Sequence, residues 1–183
     1  MHVPSAFRMI DFSQDYFALF GLPPRYRFDA DQLDLAYRAL QREIHPDRYA
    51  AGDEVERRLA LQSSARVNEA YRALKDPVGR AQYLLSLRGI DALAESDTAL
   101  PGEFLERELE RREAVAEAHA GGDAARLDAL LEQVRSDAAV LESSLGDRLD
   151  AEAWGAARDA VRELRFLSKV AGDIEAALAE VEG

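Results

Sequence analysis

Apolar residues recur every three or four positions along most of this chain, which is the spacing that places them on one face of an α-helix. Alternating or consecutive β-branched residues, which are typical of strands, are nearly absent. The pattern therefore predicts an all-α fold. No apolar run approaches the roughly 18 residues that a membrane-spanning helix needs.

Three helices are predicted in the first half. Asp15 can cap a short aromatic helix, and Asp29 can cap a longer one that Pro46 ends. A third helix is predicted over residues 54–74. The two long helices each carry one apolar stripe, Leu33, Tyr37, Leu40 and Ile44 on the first and Val67, Ala70, Tyr71 and Leu74 on the second. Because a short loop joins them, they should pack antiparallel, with residues 45–53 at the tip of a helical hairpin.

The second half is predicted to begin with a helix from Pro77 to Gly89, followed by a polar, turn-rich segment typical of a domain joint. Three helices follow, separated by Gly121-Gly122 and by the loop-like segment SSLGDRLD at residues 143–150. The middle helix has the most regular apolar seam, consisting of Leu127, Leu130, Leu131, Val134, Ala138, Leu141 and Leu145. An antiparallel three-helix bundle is the simplest way to bury that seam.

The predicted domains differ in charge. They are a flexible N-terminal tail over residues 1–14, a hairpin domain over 15–76, a connecting helix and linker over 77–101, and a three-helix domain over 102–183. The net charge is -12; residues 1–76 contain 11 Lys plus Arg against 12 Asp plus Glu, whereas residues 77–183 contain 12 against 23. Nucleic-acid binding depends on cations that neutralise phosphates, so this balance argues against a nucleic-acid partner.

Metal-binding chemistry has little support in the composition. The 183 residues include no cysteine and three histidines, His2, His45 and His119. The chain therefore has no disulfides and no thiolate ligands for zinc or an iron-sulfur cluster. The histidines are too scattered to suggest a metal site. We predict no cofactor and no metal, and a monomer in the reducing cytoplasm, with no membrane partner.

The tripeptide His45-Pro46-Asp47 lies at the tip of the predicted hairpin. On its own it is a turn, in which proline stops one helix and aspartate caps the next. Its place between two long helices, after a short aromatic one, makes the segment resemble a J-domain, the module that activates DnaK-type ATP-driven chaperones. The resemblance covers about residues 15–76, through DYFALFGL, AYRALQREIHPDR and ARVNEAYRALKDP.

This resemblance implies a surface that binds the ATPase domain of such a chaperone. In J-domains the His-Pro-Asp residues and the basic outer face of the preceding helix make the contact. On a helical wheel Arg38 and Arg42 lie about 160° and 200° from the inward-facing Leu40. The implied chaperone-binding residues are Arg38, Arg42, His45, Pro46, Asp47 and Arg48. A protruding loop without a pocket, a nucleophile or a metal argues against a catalytic role for the histidine and the aspartate.

Some apolar residues of the second half fall outside the predicted bundle core. Leu105 and Leu109 lie roughly 100° to 140° from Phe104, which can face the bundle. The final helix is predicted to bury Ala157, Val161, Leu164, Ser168 and Ala171. Phe166 points about 200° from Leu164, toward a charged face made of Arg162, Arg165 and Lys169. Such residues either pack against another part of the chain or bind a partner, and the pattern leaves both open.

The segments RAQYLLSLRGI, EFLERELERREAV and RELRFLSKV resemble the HscB family, the J-type co-chaperones of iron-sulfur cluster assembly. The resemblance implies that the C-terminal domain binds an IscU-type scaffold protein, which the J-domain delivers to the chaperone HscA. The implied scaffold-binding residues are Leu105, Leu109, Glu110, Arg112, Glu113 and Phe166. Glu106 stands where the familiar bacterial pattern has a methionine and Leu100 where it has an arginine, so neither is carried over as a contact.

The sequence thus predicts an adaptor without an active site. Three alternatives stay open: a J-domain co-chaperone for a different client, a helical metal or nucleotide enzyme, and a structural scaffold with no chaperone partner. The absence of a Gly-rich phosphate loop and of clustered metal ligands argues against the enzyme.

Purified protein should contain no stoichiometric metal or iron-sulfur cluster, because the chain offers no thiolate to hold one. Elemental analysis and the visible absorption spectrum measure this. Zinc at one equivalent, or the charge-transfer bands of a cluster, would contradict the prediction.

Overall fold

The computed structural model describes residues 10–94 and 99–183, and all regular structure in these ranges is helical. The helices are α1 (Tyr16–Leu19), α2 (Ala30–Ile44), α3 (Glu54–Lys75), α4 (Pro77–Ser86), α5 (Gly102–Ala120), α6 (Ala124–Asp150) and α7 (Trp154–Glu182). A single 3-10 turn, Pro46–Tyr49, lies between α2 and α3. The predicted all-α fold is confirmed. Within the described ranges, no helix has an apolar stretch long enough to cross a membrane.

The chain divides into two compact units, one ending at Leu84 and the other beginning at Leu85, so the division falls within α4. The predicted flexible tail lies mostly outside the described residues, as do residues 95–98 of the predicted linker. Ile10, which the sequence analysis assigned to the tail, is buried in the core of the first unit.

Helix starts in the first unit are set by side-chain caps. Asp15 and Asp29 each accept a hydrogen bond from a backbone N–H of the following turn, at 2.8 and 3.0 Å. Asp53 and Glu56 form a reciprocal capping box at the start of α3. These bonds satisfy N–H groups that have no partner within the helix. The predicted starts of α1 and α2 are therefore confirmed.

Polar side-chain contacts fix α2 and α3 in an antiparallel register. Lys75 at the end of α3 pairs with Asp34 near the start of α2, with Nζ and Oδ1 2.8 Å apart. Farther along, the Gln41 side chain donates to Asn68 at 2.6 Å. The core of this unit consists of Ile10, Tyr16, Phe17, Phe20, Leu22, Leu33, Ile44, Val67, Ala70 and Leu74. The antiparallel arrangement places residues 45–53 at one end of the hairpin, as predicted.

The short helix α1 is held by its aromatic residues. The Tyr16 ring stacks on Tyr83 of α4 with centroids 4.1 Å apart, and its backbone N–H donates to the Tyr83 hydroxyl at 2.9 Å. Burial raises the pKa of Tyr16 to about 12, so this phenol stays protonated at physiological pH. The ring stacking and the hydrogen bond to Tyr83 hold α1 against α4.

The second unit contains α5, α6 and α7, and successive helices run antiparallel. One cluster of its core consists of Phe104, Ala118, Leu127, Leu130, Leu131, Val134, Leu167, Ile174, Ala177 and Leu178. Ala157, Val161 and Leu164 of α7 are also buried, as predicted. Leu167 is buried and Ser168 is exposed, so the predicted inward position of Ser168 is wrong.

The loop predicted at residues 143–150 is also wrong, because these residues form the last two turns of α6. Leu145 and Leu149 continue the four-residue spacing of the seam and are buried, and this burial outweighs the loop-like composition. The chain turns instead at Ala151–Ala153, where Glu152 has a positive φ of 53°. The Ala153 N–H donates to the Arg148 carbonyl at 2.9 Å, which closes the helix end.

Arg162 was predicted on an exposed charged face of α7, but it is 7% exposed. Its Nε donates to the Ala92 carbonyl at 2.7 Å and its Nη1 to the Ala99 carbonyl at 3.4 Å. Because the chain lies against this side of α7 at both alanines, the guanidinium is enclosed. Arg162 therefore fastens the segment that precedes α5.

Replacing Arg162 with an unbranched apolar residue, Arg162→Met, should lower the free energy of unfolding by about 1 to 3 kcal/mol, because the buried Ala92 carbonyl loses its donor. Urea denaturation of the full chain measures this. Lys169→Met is the matched control on the same helix, since Lys169 is exposed; it should change stability by less than about 0.5 kcal/mol. Equal stabilities for the two variants would contradict the role of Arg162.

Candidate docking surfaces

The His45-Pro46-Asp47 tripeptide forms an exposed turn at the end of the hairpin. α2 ends at Ile44, and Pro46 begins the 3-10 turn because proline cannot supply the N–H that a continuing α-helix needs. The His45 and Asp47 side chains are 54% and 90% exposed. The name hairpin surface is used for the six residues that the sequence predicted here: Arg38, Arg42, His45, Pro46, Asp47 and Arg48. All are exposed except Pro46, which is half-buried.

His45 and Asp47 are held together by a local hydrogen bond. The His45 Nδ1 accepts from the Asp47 backbone N–H at 3.3 Å, and the same nitrogen lies 3.5 Å from the Asp47 carboxylate. In the neutral ring this acceptor role places the proton on Nε2. The turn thus presents a ring N–H donor and a carboxylate acceptor side by side to solvent.

The turn is tied back to α2 by two side chains that follow it. Arg48 Nη1 donates to the Arg42 carbonyl at 2.7 Å, and the Tyr49 hydroxyl donates to the Glu43 carbonyl at 3.0 Å. These carbonyls belong to the last turn of α2 and have no partner within the helix. Arg48 therefore orders the turn besides adding positive charge, and its position at a helix C-terminus is electrostatically favourable. Tyr49 was not predicted to order the turn, because only its place in the loop pointed to such a role.

A second exposed surface lies on the second unit. Leu105 and Leu109 on α5 are 45% and 61% exposed, although both are large apolar residues. The predicted polar neighbours Glu110, Arg112 and Glu113 are exposed as well. The name bundle surface is used for Leu105, Leu109, Glu110, Arg112, Glu113 and Phe166. Leu100 and Glu106, which were excluded from it, are half-buried and exposed respectively.

Phe166 differs from the two leucines because it is half-buried. Its ring packs edge-on against Phe104, with centroids 5.5 Å apart, and Phe104 belongs to the core. Phe166 therefore serves the stability of the bundle as well as its surface, which the helical wheel did not show.

A partly buried ion network fixes the rotation of α5. Arg111 bridges Glu108 on its own helix and Asp137 on α6. Glu108 is buried, and burial raises the pKa of its carboxyl while Arg111 opposes that rise. Anchoring this face of α5 to α6 leaves Leu105 and Leu109 turned outward. The sequence analysis missed the network, although the three-residue spacing of Glu108 and Arg111 was visible.

Metal binding finds no support in the part of the chain that the structure describes. Over residues 10–94 and 99–183, no group of three or more His, Asp or Glu side chains is arranged to hold an ion. Except for the half-buried Pro46 and Phe166, the two surfaces are made of exposed side chains on helix faces and on a turn.

Comparison with known proteins identifies both units. Residues 15–83 match the family model described as the DnaJ domain, and residues 100–175 match the one described as the HSCB C-terminal oligomerisation domain. The protein of Burkholderia cenocepacia named co-chaperone protein HscB homolog is 43% identical over 174 residues, which are 95% of this chain and 99% of that protein. The chain belongs to the HscB co-chaperone family. The HscB homolog of an Azoarcus species is similarly related, at 44% identity over 94% of this chain and 98% of its own.

Solved HscB structures share the fold. The Vibrio cholerae chaperone HscB has 36% identity and a TM-score of 0.79, covering 92% of this chain and 99% of its own. Human co-chaperone protein HscB has 27% identity and a TM-score of 0.83, covering 90% of this chain and 82% of its own. The predicted family and the J-domain are therefore confirmed, and the relatives are named as co-chaperones rather than enzymes.

Proposed function

We propose that this HscB-family protein is an adaptor in iron-sulfur cluster assembly. Its hairpin surface binds a DnaK-type chaperone of the HscA kind and stimulates ATP hydrolysis, and its bundle surface holds an IscU-type scaffold protein. The observation that carries the proposal is the exposure of two chemically different surfaces on two separate compact units. Apart from Phe166, which packs on the core residue Phe104, the apolar residues of the bundle surface do not fill the core of their unit.

The hairpin surface suits a partner that must be recognised without a deep pocket. The bonds from Arg48 and Tyr49 to α2 order the turn before binding, which lowers the entropy cost of presenting His45 and Asp47. Arg38 and Arg42 are exposed cations on the preceding helix. Such charges speed encounter with an acidic partner surface and set its orientation, and their effect weakens with salt.

The bundle surface suits an apolar partner with a polar rim. Leu105 and Leu109 are four residues apart on one helix, so their side chains are neighbours on the same exposed face. Glu110, Arg112 and Glu113 surround them with charge of both signs. An apolar centre with a charged rim is the usual composition of a protein-protein interface.

Joining both surfaces in one chain has a thermodynamic consequence. The scaffold bound to one unit is held at high effective concentration near the chaperone bound to the other, so neither contact has to be strong. If the chaperone and the scaffold also touch each other, each should tighten the binding of the other, typically by about 1 to 3 kcal/mol.

A second copy of the chain is the competing occupant of the bundle surface, because the family model that matches residues 100–175 is described as an oligomerisation domain. Light scattering at increasing protein concentration separates the two. A constant monomer mass argues against a second copy as the occupant and so favours the scaffold. A dimer that Leu109→Ala dissociates favours self-association.

At the hairpin surface, Asp47→Ala should abolish stimulation of the chaperone ATPase, because the variant removes the exposed carboxylate and leaves the rest of the turn intact. Steady-state phosphate release measures this. Asp31→Ala, which removes an exposed carboxylate at the other end of α2, is the control and should stimulate normally. Full stimulation by Asp47→Ala would refute the role of this surface.

At the bundle surface, Leu105→Ala and Leu109→Ala should each weaken scaffold binding by about 1 to 3 kcal/mol, as expected for interface anchors. Their thermal unfolding should be nearly unchanged, since both side chains are exposed. Titration calorimetry and thermal denaturation measure the two effects.

Val140→Ala is the matched control, because Val140 is an exposed apolar residue of α6 in the same unit. It should bind like the unaltered protein. Phe166→Ala should lose stability as well as affinity, because its ring packs on Phe104. Normal scaffold affinity in both leucine variants would place the binding site elsewhere.

A further inference from the structure

An open groove with a volume of about 390 Å³ runs between α5 and α7. Its apolar lining comes from both helices, from Val115 and Ala116 on α5 and from Phe166, Val170, Ile174 and Ala177 on α7. The sequence analysis did not predict it, because the groove depends on the spacing between two helices. Its volume falls within the range of pockets that hold a small ligand or a few side chains.

The groove is held in shape at both ends. Phe104 on α5 packs on Phe166 of α7, with ring centroids 5.5 Å apart. About four turns farther along the same two helices, His119 Nε2 lies 3.0 Å from the Glu180 carboxylate. These contacts tie α5 to α7 on either side of the opening. A pre-formed groove loses little conformational entropy when it is filled.

The groove is continuous with the bundle surface. Leu105, Leu109, Arg112 and Ala116 fall within about 60° of one another on the α5 wheel. Arg112 and Ala116 also line the groove, as does Phe166. The three apolar residues of the bundle surface are too few for a typical interface, which buries about 800 Å² on each partner. The groove is the adjoining apolar surface into which the interface can extend.

The walls of the groove carry charges of both signs, with Glu108, Asp173 and Glu180 beside Arg112 and Lys169. Residues 85–183 contain 11 Lys plus Arg against 23 Asp plus Glu. Arg112 on α5 and Lys169 on α7 both line the groove and are exposed. Among the described residues, neither forms an ion pair. Two of the three lining carboxylates are already engaged within the unit, Glu108 with Arg111 and Glu180 with His119. The two cations on facing helices can therefore still pair with a carboxylate of a bound protein.

We propose that this groove receives an apolar side chain of the scaffold protein, and that a neighbouring carboxylate of the scaffold pairs with Arg112 and Lys169. The inference rests on the proposed function, and it adds Ala116, Lys169 and Val170 to the residues that contact the scaffold. The apolar contact supplies affinity, and the cations set the register of the bound segment. Scaffold binding therefore depends on the groove as well as on the leucines.

Filling the groove tests the apolar part of the proposal. Ala116→Trp places a large ring at an exposed position of the groove wall and should weaken scaffold binding by roughly tenfold or more in titration calorimetry. Ala139→Trp makes the same change at an exposed alanine within α6, which does not line the groove, and should bind normally. Circular dichroism and thermal unfolding confirm that both variants fold.

Removing one cation tests the proposed pairing of Arg112 and Lys169 with a carboxylate of the scaffold. Lys169→Met removes the charge, keeps most of the length of the side chain and should weaken scaffold binding severalfold at about 50 mM NaCl. The loss should shrink at about 500 mM NaCl, where screening has already weakened the pair in the unaltered protein. If Ala116→Trp fails to fold, Lys169→Met still tests whether the groove contacts the scaffold.

The outcomes separate the two proposals. If the unaltered protein binds the scaffold, Leu105→Ala weakens binding, and neither Ala116→Trp nor Lys169→Met has an effect, the groove proposal is wrong and the proposed function stands. If the unaltered protein does not bind the scaffold, both fail. If Ala116→Trp changes only the self-association of the chain, the groove belongs to a homodimer and the proposal is overturned.

Discussion

A helix in a hairpin or a three-helix bundle can bury only the stripe that faces its neighbours. This constraint decides what each unit of the protein leaves for partners. In the first unit α2 buries Leu33 and Ile44, so its basic outer face and the turn that follows remain in solvent. In the second unit α5 carries apolar residues on two faces and can bury only one. Leu105 and Leu109 are on the other.

Local bonds turn these exposed residues into ordered surfaces. The hairpin turn is fastened to the last turn of α2 by Arg48 and Tyr49, and α5 is fixed in rotation by the bridge from Arg111 to Glu108 and Asp137. Tyr49 and Arg111 lie outside the two proposed surfaces and yet determine where the contacting residues lie, whereas Arg48 both orders the turn and belongs to the hairpin surface. Order before binding reduces the entropy that association must offset, which suits transient contacts of modest area.

The sequence alone predicted the features that depend on residues close together along the chain. The caps at Asp15 and Asp29, the apolar stripes and the break at Pro46 are local effects, and they were predicted. The helical course of residues 143–150 was missed because burial of Leu145 and Leu149 outweighs local composition. Arg162 and the groove were missed for a different reason. Both depend on which distant segments lie against α7, and a helical wheel contains no such information.

The most direct test of a two-surface adaptor is the ATPase rate of the DnaK-type chaperone, measured with this protein alone, with the scaffold alone and with both. The account predicts synergy, in which the rate with both exceeds the product of the separate stimulations, because scaffold and chaperone are held on one chain. A rate with both present that equals the rate with this protein alone would contradict the account, since the bundle surface would then contribute nothing to delivery.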